Sequence, residues 1–333
     1  MYSSIKQTKM REPISVREDK LGILHILFLA FNLAVLLGCG SDKKSKQKLQ
    51  VEDKKDSSIE IISEAMDFKT VDEIPAGWHT FRYINRSDDT HFFLLDKYPE
   101  GKTLVDGEKE VIPPFQRGMN LINQGKAEEG YAEFNKLPAW FFEIVFSGGS
   151  GLVSPGHTAE TTIKMEPGYY VIECYVKMEN GVFHTTMGMV TELIVTDDIQ
   201  ANNPSIKPNI KITLSSQDGI VYNESIKKGE QTFEVYFKDQ IAHENFVGHD
   251  INLVKLDKNA NLETLEKWMN WADPKGLISP APPGFTFLGG VNDMPAGSRA
   301  YFTTYLEPGR YVLVSEVPNS LSKNMLKTFI VTE

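Results

Sequence analysis

A long block of this 333-residue chain occurs twice, and that duplication limits its architecture more than any other feature. Phe146-Ser-Gly148-Gly149 is followed by Pro155-Gly156, Thr162, Glu166-Pro167-Gly168 and Tyr170-Val171. The later copy runs Phe287-Leu-Gly289-Gly290, Ala296-Gly297, Thr303, Glu307-Pro308-Gly309 and Tyr311-Val312. From Gly148 to Val171 and from Gly289 to Val312 the register needs no gap. Upstream, Gly77-Trp-His-Thr80-Phe81 matches Gly229-Glu-Gln-Thr232-Phe233, and His91 falls opposite His249. Downstream, the segment from Met189 to Thr196 matches that from Met325 to Thr332. Agreement in both order and spacing means that one unit is present twice.

Each copy reads as strands. Tyr170, Ile172 and Cys174 alternate with Val171, Glu173 and Tyr175, the period of a strand with two distinct faces. Glu-Pro-Gly precedes this strand in both copies and marks a turn, because Pro fixes φ and Gly accepts a positive one. Short strands punctuated by Gly and Pro predict an all-β fold, an antiparallel sandwich or barrel in each copy. One stretch differs: Phe115, Met119, Leu121, Ile122, Tyr131 and Phe134 lie at roughly helical spacing between Pro114 and Trp140. A short helical insertion is expected there, with Leu262 to Trp271 as its counterpart. The sandwiches are assigned to residues 59–197 and 209–333, joined by a linker at 198–208. Hydrophobic residues make up 41% of the chain, enough for a core in each.

The amino-terminal residues belong to neither copy. Lys6, Lys9, Arg11, Arg17 and Lys20 precede an apolar run from Leu21 to Gly38, which ends Leu36-Leu37-Gly38-Cys39. A basic start, an apolar core and small residues at the cut describe a secretory signal over residues 1–39. The ending resembles the lipobox of bacterial lipoproteins, which implies acylation of Cys39 and anchoring to the cell envelope. Gly40 after Cys39 favours the outer membrane by analogy with lipoprotein sorting. An uncleaved membrane-spanning helix is the competing account, since the run approaches the ~20 residues a span needs. Met10 is an alternative start. Residues 40–58 mix Lys with Asp and Glu and hold almost nothing apolar, which predicts a disordered tether. With a formal net charge of −10, a nucleic-acid partner is not expected.

Only two cysteines are present, so a lipidated Cys39 leaves Cys174 without a disulfide partner. Cys174, then His184, then Met189 ahead of a final strand resembles the ligand loop of the cupredoxins, the blue-copper fold. The resemblance covers residues 60–196, and more weakly 205–333. It implies two Greek-key cupredoxin-like sandwiches, with copper held in the first by His91, Cys174, His184 and Met189. Asn85 stands a few residues before His91, as an Asn does in that family. A thiolate, two imidazoles and a weak axial thioether form the set that exchanges electrons through copper, which implies a redox or envelope protein partner.

The pattern departs from the family in places. Nine residues separate Cys174 from His184, more than in small electron carriers and closer to copper nitrite reductases. Glu179-Asn180-Gly181 offers a turn that would fold this loop back. Met187 competes with Met189 for the axial position, and Met325 aligns with Met189 where no copper set exists. In the second copy Ser315 replaces Cys174 and no residue matches His184. His79 and His157 have Gln231 and Ser298 opposite them and are expected to be ordinary polar residues. Glu173 and Tyr175 flank Cys174 where nitrite reductases and multicopper oxidases place His, so the resemblance does not extend to catalysis and no enzyme is expected. The alternative from another class is a metal-free surface module that presents its helical insertions to a protein or glycan.

Overall fold

The computed structural model describes residues 58–200 and 206–333. The signal at 1–39, Cys39, most of the expected tether and residues 201–205 of the expected linker lie outside them. No helix among the described residues is long and apolar enough to cross a membrane.

The first copy contains β1 (Ile59–Glu64), β2 (Asp67–Lys69), β3 (Glu73–Asn85) and β4 (Leu94–Lys97), then α1 (Leu104–Glu110), α2 (Ile112–Asn123) and α3 (Ala127–Phe134). It closes with β5 (Val145–Gly149), β6 (Thr158–Met165), β7 (Gly168–Glu173) and β8 (Val190–Ile199). The second repeats it strand for strand: β9 (Ile210–Ser215), β10 (Gly219–Val221), β11 (Gly229–Phe237) and β12 (Ile251–Leu256), then α4 (Leu262–Met269). After that helix come β13 (Phe285–Val291), β14 (Arg299–Leu306), β15 (Gly309–Val314) and β16 (Leu326–Val331). The all-β class and the paired Greek-key sandwiches are as expected.

Alternation builds the faces. Along β3, Phe81, Tyr83 and Asn85 turn inward while Arg82 and Ile84 face outward. The long β3 serves both sheets of its sandwich: Gly77 to Ile84 pair with β6, whereas Glu73 to Ala76 pair with β8. The second sheet continues β8-β7-β4-β5, and its counterpart in the other copy runs β16-β15-β12-β13. Equivalent positions repeat their bonds. Thr80 and Thr162 hydroxyls meet at 2.9 Å, and Thr232 and Thr303 at 3.0 Å. Tyr170 donates to the Glu166 carbonyl at 2.8 Å, and Tyr311 to that of Glu307 at 2.9 Å.

The repeated Gly-Gly pair has a steric cause. Gly148 and Gly289 hold φ of +90° and +94°, a region that disfavours side chains. Their neighbours sit against a strand: a Cβ on Gly149 would lie 1.8 Å from the Phe93 carbonyl oxygen, and one on Gly290 would lie 1.9 Å from that of Ile251. Gly149→Ala is therefore expected to destabilise by about 2–3 kcal/mol through forced backbone displacement, read as a lower urea midpoint at unchanged slope. An unchanged midpoint would show that the strands can separate without cost.

The two copies join edge to edge. Thr162, Thr161 and Glu160 of β6 pair antiparallel with Tyr301, Phe302 and Thr303 of β14, so one sheet runs through both. The helical insertion of the first copy begins earlier than Pro114, at Leu104. α1 is seven residues long and mostly polar, too short and too even to show an apolar stripe. α2 and α3 cross closely because Gly118 and Gly130 face each other, with Phe115 against Phe134.

Candidate metal centre

Three backbone devices deliver the candidate donors. Cys174 follows β7 directly, and its N–H donates to the Met189 carbonyl at 3.3 Å. The loop beyond it folds back as the Asn-Gly turn predicts: Lys177 pairs with Phe183, and the Met178 N–H reaches the Val182 carbonyl at 2.8 Å. The His184 N–H then donates to the Val176 carbonyl at 2.8 Å, which returns its imidazole to Cys174 despite the long loop.

His91 is held by Asn85. The buried amide of Asn85 donates to the carbonyls of Asp89 and Val153, both at 2.8 Å, and accepts from the Ser63 hydroxyl and the Ser87 N–H at 3.0 Å. His91 itself forms a two-way backbone bridge with Val153, at 3.2 and 2.7 Å. Four bonds to one side chain fix the 85–91 loop, and the bridge fixes its end.

The structure brings His91, Cys174 and His184 together, all fully buried. The two Nδ1 atoms are 3.1 Å apart and lie 3.8 and 3.9 Å from the Cys174 sulfur. A point equidistant from all three is about 2.1 Å from each, the length of a first-shell bond to nitrogen and slightly short of one to sulfur. Met189 is buried beside them, its N–H on the His184 carbonyl at 3.0 Å, whereas Met187 is 53% exposed. Of the two methionines, Met189 is the buried one.

Burial dominates the electrostatics. It lowers His91 to about 3, helped by repulsion from His184, and it lowers His184 to about 4. Both rings are neutral at physiological pH. Burial also pushes the Cys174 thiol up to about 12, although backbone N–H groups of Phe92 and Val176 directed at the sulfur oppose this. A thiol so placed does not ionise unless a cation joins it.

The donors fit a soft or borderline metal ion. Two neutral imidazoles whose Nδ1 atoms face each other can share one proton there. The Nε2 atoms of His91 and His184 are buried without a protein hydrogen-bond partner, so no tautomer pair satisfies every nitrogen. A metal at the common point would take both Nδ1 lone pairs and the sulfur, a trigonal set of two nitrogens and one sulfur that suits copper.

The second copy has another chemistry at these positions. Ser315 replaces the cysteine, and its hydroxyl donates to Asp250, which stands where the first copy has Phe92. His249 meets His243 at 3.1 Å between Nε2 atoms, and Lys323 lies 3.2 Å from His243. An ammonium on the second imidazole opposes a further cation. Of the remaining histidines among the described residues, His79 bonds the Pro75 carbonyl at 2.7 Å within its own strand, and His157 is exposed after the Pro155-Gly156 turn.

Sequence reasoning passed over a group of buried acids beside this centre. Asp96 and Glu173 hydrogen-bond each other, and burial together with mutual repulsion raises Asp96 far above the usual carboxylate range. Thr185 bridges Glu173 at 3.3 Å to the Cys174 carbonyl at 2.9 Å. Asp96 was legible, since it interrupts the apolar strand Phe92-Phe93-Leu94-Leu95.

No family model matches the sequence, and no curated protein matches it. Among solved structures the chain is similar to reduced auracyanin from Roseiflexus castenholzii, at 21% identity and a TM-score of 0.26, covering 42% of this chain and 97% of that one. Auracyanin A from Chloroflexus aurantiacus, a "blue" copper protein, aligns at 22% identity and a TM-score of 0.26, over 42% and 98%. The copper nitrite reductase of Nitrosomonas europaea aligns over 83% of this chain and 93% of its own, at 13% identity and a TM-score of 0.21. A multicopper oxidase also aligns over 83% of this chain. The expectation that the chain is not an enzyme is overturned by this set, which contains enzymes; at such scores they assign it no particular reaction.

Proposed function

We propose that this chain, two cupredoxin-like sandwiches in tandem, binds one copper ion in its first copy and exchanges single electrons through it. The observation that carries the reading is the convergence of two Nδ1 atoms and one sulfur on a point at bonding distance from each. Bound there, copper supplies a one-electron couple. The chain supplies the rest. Asn85 and the hairpin at Lys177–Phe183 hold the imidazoles in place, full burial keeps water from the sulfur, and the Phe92 and Val176 N–H groups favour the thiolate. A preformed, dry ligand set changes little between oxidation states. Exposed Thr186, Met187 and Gly188 next to His184 form the surface nearest the centre, where a redox partner of the envelope would approach.

Copper(II) added to metal-free protein is expected to give an intense orange-red sulfur-to-copper absorption at one equivalent, absent in Cys174→Ser. A colourless titration, or a band that survives the substitution, would remove the copper reading in favour of a metal-free surface module. The fragment 205–333 is expected to give no band.

We also propose that the protein is held at the outer membrane by lipid on Cys39, on the strength of Leu36-Leu37-Gly38-Cys39. One acyl chain binds membranes only marginally, so the several chains of a processed lipoprotein are needed. Cells fed labelled palmitate are expected to label this protein, and Cys39→Ala to abolish the label. Equal labelling of the variant would sink the anchor.

A further inference from the structure

A cavity of about 110 Å³ lies between the outer face of the β5-β4-β7-β8 sheet and the helical insertion that covers it. Its walls include Tyr98, Phe115 and Phe141 from the first copy and Phe246 and Trp271 from the second. Set among these rings are three acids, Asp96, Glu173 and Asp293. None of the three forms an ion pair with Lys or Arg among the described residues. Asp96 is only 4% exposed, and apart from the bond its carboxyl shares with Glu173 its Oδ1 has no hydrogen-bond partner. Leaving a buried acceptor unmade costs about 1–3 kcal/mol, so the arrangement calls for a donor from outside the chain.

Two features define that donor. Three neighbouring acids without a counter-charge favour a cation, and aromatic faces attract one when water is excluded. The walls are otherwise apolar, which suits an organic body better than a hydrated metal ion. A cavity of this size accepts a ligand of roughly four or five non-hydrogen atoms, judged against the engineered cavity of about 150 Å³ that holds benzene. We propose that it is a binding site for a small primary organic ammonium, whose –NH3+ group seats against Asp96, Glu173 and Asp293 while its apolar body lies among the rings. Burial and the charges of its two neighbours already disfavour ionised Asp96, and the ammonium reverses that balance. The assignment does not depend on copper.

n-Butylammonium and the neutral, equally shaped n-butanol separate the alternatives. Each is titrated into the full-length, metal-free protein by calorimetry, with fluorescence of Trp271 as a second readout. n-Butylammonium is expected to bind at least about tenfold more tightly than the alcohol, the worth of one charge-assisted hydrogen bond. Asp96→Asn is expected to remove that preference while changing alcohol binding less than about twofold. Equal affinity for the two probes in the wild-type protein overturns the proposal, as does an unaltered preference in the variant or the absence of saturable binding. The wild-type comparison decides even if the variant does not fold.

Discussion

Saturating copper is expected to raise the thermal unfolding midpoint of the wild-type protein by roughly 8–16 °C, and to raise that of Cys174→Ser far less. A ligand that binds only the folded state, at about a thousand times its Kd, contributes about 4 kcal/mol. For a chain of this size each kcal/mol moves the midpoint by roughly 2–4 °C. The gain rests on a set assembled from distant parts of the chain. His91 comes from the loop after β3, whereas Cys174 and His184 come from the hairpin loop after β7. Unfolding scatters these donors, so binding couples to folding. Differential scanning calorimetry with and without one equivalent of copper measures the shift. An identical shift in the wild type and in Cys174→Ser would mean that copper binds elsewhere.

The parts of this molecule that were legible in its sequence are those where residue type and local geometry are tied together. Gly148-Gly149 and Gly289-Gly290 repeat because one backbone path requires positive φ and then a close carbonyl. Asn180-Gly181 announces a hairpin because Gly181, at φ +79°, accepts what other residues resist. Cys174, His184 and His91 stood out because few residue types can ligate copper, and the structure adds that the long loop folds back to unite them.

What was not legible depends on surfaces meeting across the chain. Nothing in the alternation from Thr158 to Met165 distinguishes a strand edge facing solvent from one that pairs with another strand, so the β6–β14 join is a tertiary fact. The α1 helix escaped notice because its stability comes from a cap at Thr103 and from Gly107 packed on Tyr98, not from an apolar period. Asp293 and Glu173 are far apart in sequence, and only the insertion and the second copy enclose them in one cavity. That Met189 is buried and Met187 exposed is likewise a tertiary fact, which spacing does not report.

His91 and His184 are expected to cost the metal-free protein stability as the pH falls from 6.5 to 4.5, a contribution read as the difference between the wild type and variants at these two positions. Each ring has an ordinary pKa near 6.5 when the chain unfolds, whereas burial holds them at about 3 and about 4 in the folded state. Throughout this window the unfolded chain takes up protons that the folded chain refuses, so stability rises with pH and falls with acid. At about 1.4 kcal/mol per unit for each ring, two units remove up to about 5 kcal/mol. Buried acids act in the opposite sense: Asp250, raised to about 6 mainly by burial, and Asp96, Glu173, Asp293 and Glu316, raised by burial as well, bind their protons more readily when folded. That opposing slope, and the acid loss from His243, which burial and Lys323 lower to about 4, are common to the wild type and to variants at His91 and His184, so they cancel in a comparison. Urea unfolding in the presence of a chelator, at pH 6.5 and 4.5, is expected to show about half of the loss due to this pair in His91→Gln and almost none of it in the variant that also carries His184→Gln. Equal losses in all three proteins would mean that the imidazoles open to solvent in the metal-free state, and that the centre is formed by its metal instead of waiting for it.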